Sequence, residues 1–560
     1  MGKSKLWSTL GITLTSALVL SACGNSDSAE DTTSGDEGSE GAQEEQVLHV
    51  VESAEIPTMD SALTTDAVSF NVLNNVNEGL YRQGQDNDLV LGMAAEEPEI
   101  SEDGLTYTFK IREDAEWSNG DPVTANDFVY SWTRLADPAT AAEYAYMIDG
   151  VVKNATAILA GEMDPSELGV SATDDKTLVV ELEKPVPYFE SLLTLAMYLP
   201  QNEEYVTEHE GDYATNSDTL LYNGPFELSE WDGTGLTWSL VKNESYWDAE
   251  TVQLDRIDFD VVKETSTALN LYDAGEVDRM RLSGDYVQTK QGDPELLTEP
   301  TSSVFYFKLN QERNGEETPL ANENIRKAIA MSFDKQGFAD TVLQNGSVPA
   351  DGLVPEGLSV DPESGEDFRE QSGDLLSYDT AQAADYWEAG LEELGVDSLT
   401  LEMLGDDSEN SKKSLEFMQA QLESNLPGLS IELRNVPFKV RLDADTNQDY
   451  DIQMAGWGAD YADPINFLEL FHSDNGNNKS GYSNEEYDAL IESAQSNVDD
   501  MEARWQDMLE AEKILMDTAG IAPIYQRSYA VLEKPYVKDI VAHLTGADYS
   551  YKWTYIEGKE

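Results

Sequence analysis

Trp117 to Trp132 reads WSNGDPVTANDFVYSW and follows SEDGLTYTFKIRED, Ser101 to Asp114. From Leu105 to Ile111 the residues alternate, with Tyr107, Phe109 and Ile111 on one face, which predicts a half-buried strand. Asn119-Gly120 marks a turn, and Pro122 keeps the chain out of a helix until it is passed. Thr124 and Asp127 then have capping-box spacing, and Phe128, Trp132 and Leu135 fall on one helical stripe. A strand, a turn and a capped helix thus occupy some thirty residues.

The same alternation of periods continues outward. Leu178 to Leu182, Leu254 to Val262 and Val304 to Leu309 read as strands. Ile325, Ala328, Ile329 and Phe333 form a helical stripe. Ser483 with Glu486 opens a helix that turns Tyr487, Leu490, Ile491 and Ala494 inward, and Trp505, Met508, Leu509 and Leu515 mark another. Strands and helices interspersed over the whole length predict an α/β or α+β architecture. At 560 residues, 40% of them hydrophobic, the chain is long enough for two or three packed lobes.

The first 23 residues read as an address. Lys3 and Lys5 precede a short apolar run from Leu6 to Leu20, and Ser21-Ala22-Cys23 is a small-residue cleavage site. Cys23 is the single cysteine, so no disulfide framework is possible. The string LSAC, Leu20 to Cys23, resembles the bacterial lipobox and predicts lipidation of Cys23; a plain secretory signal that happens to contain Cys is the alternative. Gly24 to Gln46 carries eight Asp or Glu and no Lys or Arg, a solvated, self-repelling linker.

The formal net charge is −76. That excludes a nucleic-acid partner, since phosphate binding needs clustered cations. The acids are spread along the chain and suit a surface working at high salt; selectivity for cationic ligands is the second reading. Catalytic constellations are scarce. His49, His209, His472 and His543 are isolated, and no metalloprotease, nucleophile-elbow, phosphate-loop or dinucleotide motif is present. Asp474-Asn475-Gly476-Asn477 lacks the alternating acids of a calcium loop and reads as a polar turn. No enzyme activity, cofactor or metal is expected.

The stretch from Ser101 to Trp132 resembles the signature region of the family 5 extracellular solute-binding proteins of peptide importers, and RLADPATAAEYAY (Arg134 to Tyr146) is similar to their oligopeptide-binding branch. EIPTMD (Glu55 to Asp60), NEGLYR (Asn77 to Arg82), YNGPFELSEW (Tyr222 to Trp231), NESYWD (Asn243 to Asp248), IRKAIAMSFDK (Ile325 to Lys335) and GWGADYADPINFL (Gly456 to Leu468) follow in the family's order.

The resemblance implies an α/β, two-lobed periplasmic-binding-protein-like clamp of type II with an additional third domain. Residues 47–67, 190–304 and 527–560 would form a discontinuous first lobe, 68–189 the extra domain and 305–526 the second lobe. Two crossovers near Val304 to Leu309 and Ile521 to Arg527 would be the hinge. The implied role is delivery of oligopeptides to ABC transporter permease subunits, by a monomer held on the outer face of the cytoplasmic membrane through its lipid at Cys23. Oligosaccharide transport by the same importer family is the alternative.

The resemblance also implies the site. Glu55-Ile56 and Gly456 to Ala459 would ladder onto an extended peptide backbone, with Gly456 and Gly458 flanking Trp457 to let backbones approach; a tight turn is the other reading of the two glycines. Asp460 would hold the peptide α-amino group, unless it only caps its own loop. Tyr130 and Trp457 would line the cleft, or else serve as core aromatics. There is one departure. Where Gram-negative members have arginines that can pair with a peptide carboxylate, this chain has Met454 and Asp445, which implies either a looser site for longer peptides or one using another cation such as Arg441.

Overall fold

In the computed structural model Thr124 and Asp127 close the expected capping box: the Thr124 amide donates to Asp127 Oδ2 at 2.7 Å. The Trp117 indole donates to the same carboxylate oxygen at 3.2 Å, which binds the turn to the helix it precedes. Gly120 between them has φ +87°, a conformation that needs glycine. The structure describes residues 45–85, 88–186, 188–361, 363–497 and 500–559. The predicted signal, the lipidation site Cys23 and all of the linker up to residue 44 lie outside the described residues.

The strands that build the two main sheets are β1 (Val47–Glu52), β2 (Glu99–Ile100), β3 (Thr106–Lys110), β4 (Val170–Asp174), β5 (Thr177–Glu181), β6 (Phe226–Ser229), β7 (Thr237–Lys242), β8 (Arg256–Val261), β9 (Arg279–Leu282), β10 (Leu296–Leu309), β11 (Leu399–Asp406), β12 (Leu429–Val436), β13 (Ile452–Gly458) and β14 (Ile521–Glu533). Helices used below are α1 (Ala67–Val76), α2 (Ala125–Ala136), α3 (Glu203–His209), α4 (Thr265–Ala274), α5 (Glu323–Met331), α6 (Phe438–Thr446), α7 (Glu485–Ser496) and α8 (Met501–Asp517).

One curled, mixed sheet runs in the order β12-β11-β13-β10-β14-β9-β1-β8-β7-β6, with Val348–Pro349 paired beside β14. A separate sheet of order β2-β3-β5-β4 carries α2 on its face. The long antiparallel pair β10 and β14 joins the two halves of the large sheet. Its register shifts between Pro300 and Val304, because proline has no amide to give the ladder. The sequence reading began this strand at Val304; the polar, proline-containing run before it hid eight further residues.

Two other expectations need correction. The cap of α7 is Asn484, whose side chain accepts from the Glu486 and Tyr487 amides, while Ser483 bonds Ser473 instead. Phe333 lies beyond the end of α5 but stays fully buried with Ile325 and Ile329.

The recognised motifs prove to be joints. Arg134 of α2 grips Asp60 with two bonds of 2.7 and 2.6 Å, tying EIPTMD to the signature helix. Glu78 accepts from Arg82, Tyr246 and Trp247, tying NEGLYR to NESYWD. Gly224 lies so close to Val76 that a Cβ would come within 2.6 Å of its carbonyl carbon. Among the described residues Arg326 has no carboxylate partner; it donates to the carbonyls of Leu320, Ala321, Thr518 and Ala519.

Candidate functional site

The site forms where β13 emerges from the sheet. On one side β13 is antiparallel to β10, with Gly456 opposite Phe305, Trp457 opposite Val304 and Gly458 opposite Ser303. On the other side β11 pairs only with Ile452 and Gln453. Among the described residues, the backbone from Met454 to Gly458 therefore has no strand on that side. Such an edge offers free amides and carbonyls to an added strand. Gly456 and Gly458 are exposed there. Their lack of a side chain has a second cause: a Cβ on Gly456 would stand 2.7 Å from the Phe305 ring, and one on Gly458 2.9 Å from Ser303 Oγ.

Trp457 points toward the half containing α1 and α2. Its indole stacks on Tyr144, centroids 5.7 Å apart and planes 13° from parallel. Tyr144 packs edge-on against Phe70 of α1 and lies beside Tyr146, whose hydroxyl is buried with no hydrogen-bond partner among the described residues. Ala459 is fixed from both sides, donating to the Ser302 carbonyl and accepting from the Gly546 amide.

Asp460 follows directly. It is 7% exposed. Asn466 accepts from its amide at 2.9 Å and donates to its Oδ2 at 3.2 Å. Among the described residues it takes part in no ion pair, and burial raises its carboxyl from 3.8 to about 7. Glu469 nearby is likewise pushed up by burial, to about 8, while accepting from Tyr461 and Gln495. The pocket next to the end of β13 is thus buried, acidic and short of positive charge.

Glu55 and Ile56 lie in an irregular segment after β1. Lys263 Nζ stands 3.3 Å from Glu55 and 2.5 Å from Asp407 of the other half, and Lys439 of α6 donates to the Pro57 carbonyl at 2.7 Å. With the Tyr188–Tyr461 stack and the Glu143–Lys479 pair, these contacts bring the two halves together around the β13 edge.

Tyr130 is not brought to that edge. It sits half-buried on α2, its hydroxyl among Arg134, Asp60 and the α3 residues Glu203 and Thr207; burial raises it first, with Glu203 and Asp60 adding to the rise and Arg134 and Thr207 opposing it. The aromatic that stacks on Trp457 instead is Tyr144, backed by Tyr146 and Phe70. Two of these lie inside the stretch RLADPATAAEYAY, where the tyrosines two apart were the available signal. Asp445 is held by Lys308 at 2.8 Å. Arg441 lies over the Phe438 ring at 5.0 Å with its Nε buried and unpartnered.

With this geometry in place, comparison with known proteins fixes the class. Residues 88–479 match the family model described as bacterial extracellular solute-binding proteins, family 5 Middle. The chain belongs to that family. The oligopeptide-binding protein OppA of Bacillus subtilis is 35% identical over 97% of this chain and 98% of its own. Listeria monocytogenes OppA bound to peptide superposes with a TM-score of 0.90 at 50% identity, covering 92% of this chain and all of that one. The Escherichia coli murein tripeptide binding protein MppA matches at 0.82 in one structure and at only 0.59 in its unliganded open form, each at 30% identity and over 92% of this chain. The present arrangement of the two halves therefore differs from that open form.

Proposed function

We propose that this chain is an oligopeptide-binding protein that closes on extended peptides and hands them to the permease of an ABC importer, acting by binding and release without turnover. The observation that carries the reading is Asp460: a buried carboxylate that, among the described residues, is in no ion pair and lies at the end of a strand edge without a partner strand. A peptide supplies both missing components. Its α-ammonium answers the carboxylate, and its main chain pairs with Met454 to Gly458 whatever its sequence. The similarity to peptide-binding relatives supports the same ligand class.

Closure would turn on β10 and β14 near residues 300–304 and 526–528, where the ladder is interrupted. The domain limits given above and the lipid anchor at Cys23, which would hold the protein outside the cytoplasmic membrane, belong to the same proposal. Arg441 is the cation we assign to the far end of a bound peptide.

Titration calorimetry of the purified protein with free-amine tetrapeptides, their N-acetylated forms and cello- or xylo-oligosaccharides tests it. Binding is expected for the free amines and strongly reduced for the acetylated forms. Heat from the sugars alone would replace the peptide reading with the oligosaccharide one.

A further inference from the structure

Four lysines reach across the cleft, two from each half. From the first half, Lys184 donates to the Gln495 carbonyl at 2.5 Å, and Lys263 stands 3.3 Å from Glu55 of its own half and 2.5 Å from Asp407 of the other. From the second half, Lys439 donates to the Pro57 carbonyl at 2.7 Å, and Lys479 stands 3.4 Å from Glu143. Their positions bracket the β13 edge. Lys263 and Lys439 meet the Glu55–Pro57 segment, and Lys479 meets the residue before Tyr144, the ring stacked on Trp457. Lys184 meets Gln495, which is joined through Glu469 to Tyr461 and its stack on Tyr188. Among the described residues, none of the four bonds to Asp460 or to Met454–Gly458.

The chain has 110 acidic and 34 basic residues, so two of its surfaces brought face to face repel each other unless cations stand between them. Lysine suits that place, because a long stem spans the gap and the ammonium donates to whatever oxygens face it. The four divide by partner. Lys263 and Lys479 meet carboxylates, and such ion pairs weaken as salt rises. Lys184 and Lys439 meet main-chain carbonyls and, among the described residues, are in no ion pair; a carbonyl carries no net charge for salt to screen. We propose that these lysines are latches that hold the closed form and set how long a bound peptide stays, the two carbonyl-bound ones keeping their hold at high salt. The inference rests on the closing motion proposed above. The latches form after the two halves meet, so they act on release and leave capture unchanged.

Stopped-flow fluorescence of the purified protein with free-amine tetra-alanine measures association and release for the parent and for Lys184→Met, Lys263→Met, Lys439→Met and Lys479→Met, which keep an apolar stem and lose the ammonium. At about 0.1 M KCl each variant should release the peptide about two- to fivefold faster than the parent, with association unchanged. At about 1 M KCl the excess should shrink for Lys263→Met and Lys479→Met and persist for Lys184→Met and Lys439→Met. Melting curves check that each variant folds; Asp407→Asn and Glu143→Gln remove the partners of Lys263 and Lys479 should either lysine variant be unstable. Release rates equal to the parent's in all four variants, or changes confined to association, would overturn the inference and leave the peptide reading standing. Salt erasing all four effects alike would overturn the division between the pairs. If the parent does not bind tetra-alanine, the peptide reading falls alone and small-angle scattering decides. The fourfold Met variant should then have a larger radius of gyration than the parent, and equal radii would overturn the inference.

Discussion

Trp457 and Tyr144 lie face to face across the cleft, 5.7 Å between centroids and 13° from parallel, one from β13 and the other from the 3-10 turn Glu143–Met147. The stack joins the two halves of the protein next to the free strand edge. Aromatic pairs of this kind contribute about 0.5–1.5 kcal/mol beyond the area they bury. Trp457→Ala should therefore weaken peptide binding by about tenfold. A double-mutant cycle with Tyr144→Ala should show coupling, since each ring loses its partner in either single variant. Additive losses would mean the two rings act separately.

Asp460→Asn keeps the shape and the Asn466 contact and removes the charge. Taking away one partner of a buried ion pair costs about 3–5 kcal/mol, so free-amine peptides should lose two orders of magnitude or more in affinity. N-acetylated peptides, with no ammonium to lose, should be little changed. Calorimetry on the two peptide series reads the difference directly, and equal losses would count against the amine role.

The same carboxyl sets a pH dependence. In the empty protein burial raises it from 3.8 to about 7, so the folded state holds its proton over that range more firmly than the unfolded state does. Its contribution to stability is full below pH 3.8 and is lost as pH rises through 7. Ligand binding has the opposite slope, because an ammonium requires the ionised form. Affinity for free-amine peptides should fall by up to tenfold per unit as pH drops below about 7, with a proton released on binding. Calorimetry in buffers of different ionisation enthalpy measures that proton. Acetylated peptides should show no such slope.

The class of architecture was readable because it rests on local pattern, and the motifs because they resemble the family's. The long-range contacts that join them, Arg134 to Asp60 and Tyr246 to Glu78, were not. Thr124 and Asp127 are three residues apart and cap one turn, and Phe128, Trp132 and Leu135 share one stripe. The arrangement of the site depends on distant pairings that no spacing encodes. Trp457 was visible, but its partner lies more than three hundred residues earlier. Tyr130 sits on the same helix as the buried stripe with its hydroxyl beside Glu203 and Thr207 of α3, a placement that its residue type does not encode. Asp445 illustrates the same limit: its charge was evident, but its ion pair with Lys308 depends on α6 meeting β10, across 137 residues of sequence.

Gly456 answers to packing as well as to any ligand. Its Cβ would meet the Phe305 ring at 2.7 Å, and that ring stacks on Tyr525 at 4.8 Å, leaving little room to yield. Gly456→Val should cost about 1–3 kcal/mol through overpacking and lower the melting temperature measured by calorimetry. Combining it with Phe305→Leu should recover part of the loss. A valine variant as stable as the parent would show that the ring moves freely.

Salt dependence separates the two explanations of the charge. With 110 acidic against 34 basic residues, self-repulsion opposes the compact state at low ionic strength. The Debye length shrinks from about 10 Å at 0.1 M to about 3 Å at 1 M, so the melting temperature should climb by several degrees across that range of KCl, most steeply in its lower part, where screening changes fastest. Potassium chloride suits the test because sulfate or phosphate would also strengthen apolar burial. A surface adapted to salt predicts this rise in the empty protein. Selectivity for cationic ligands predicts in addition a binding constant for lysine-rich peptides that falls steeply with KCl. A flat melting curve would therefore discard the salt reading and move attention to the ligand.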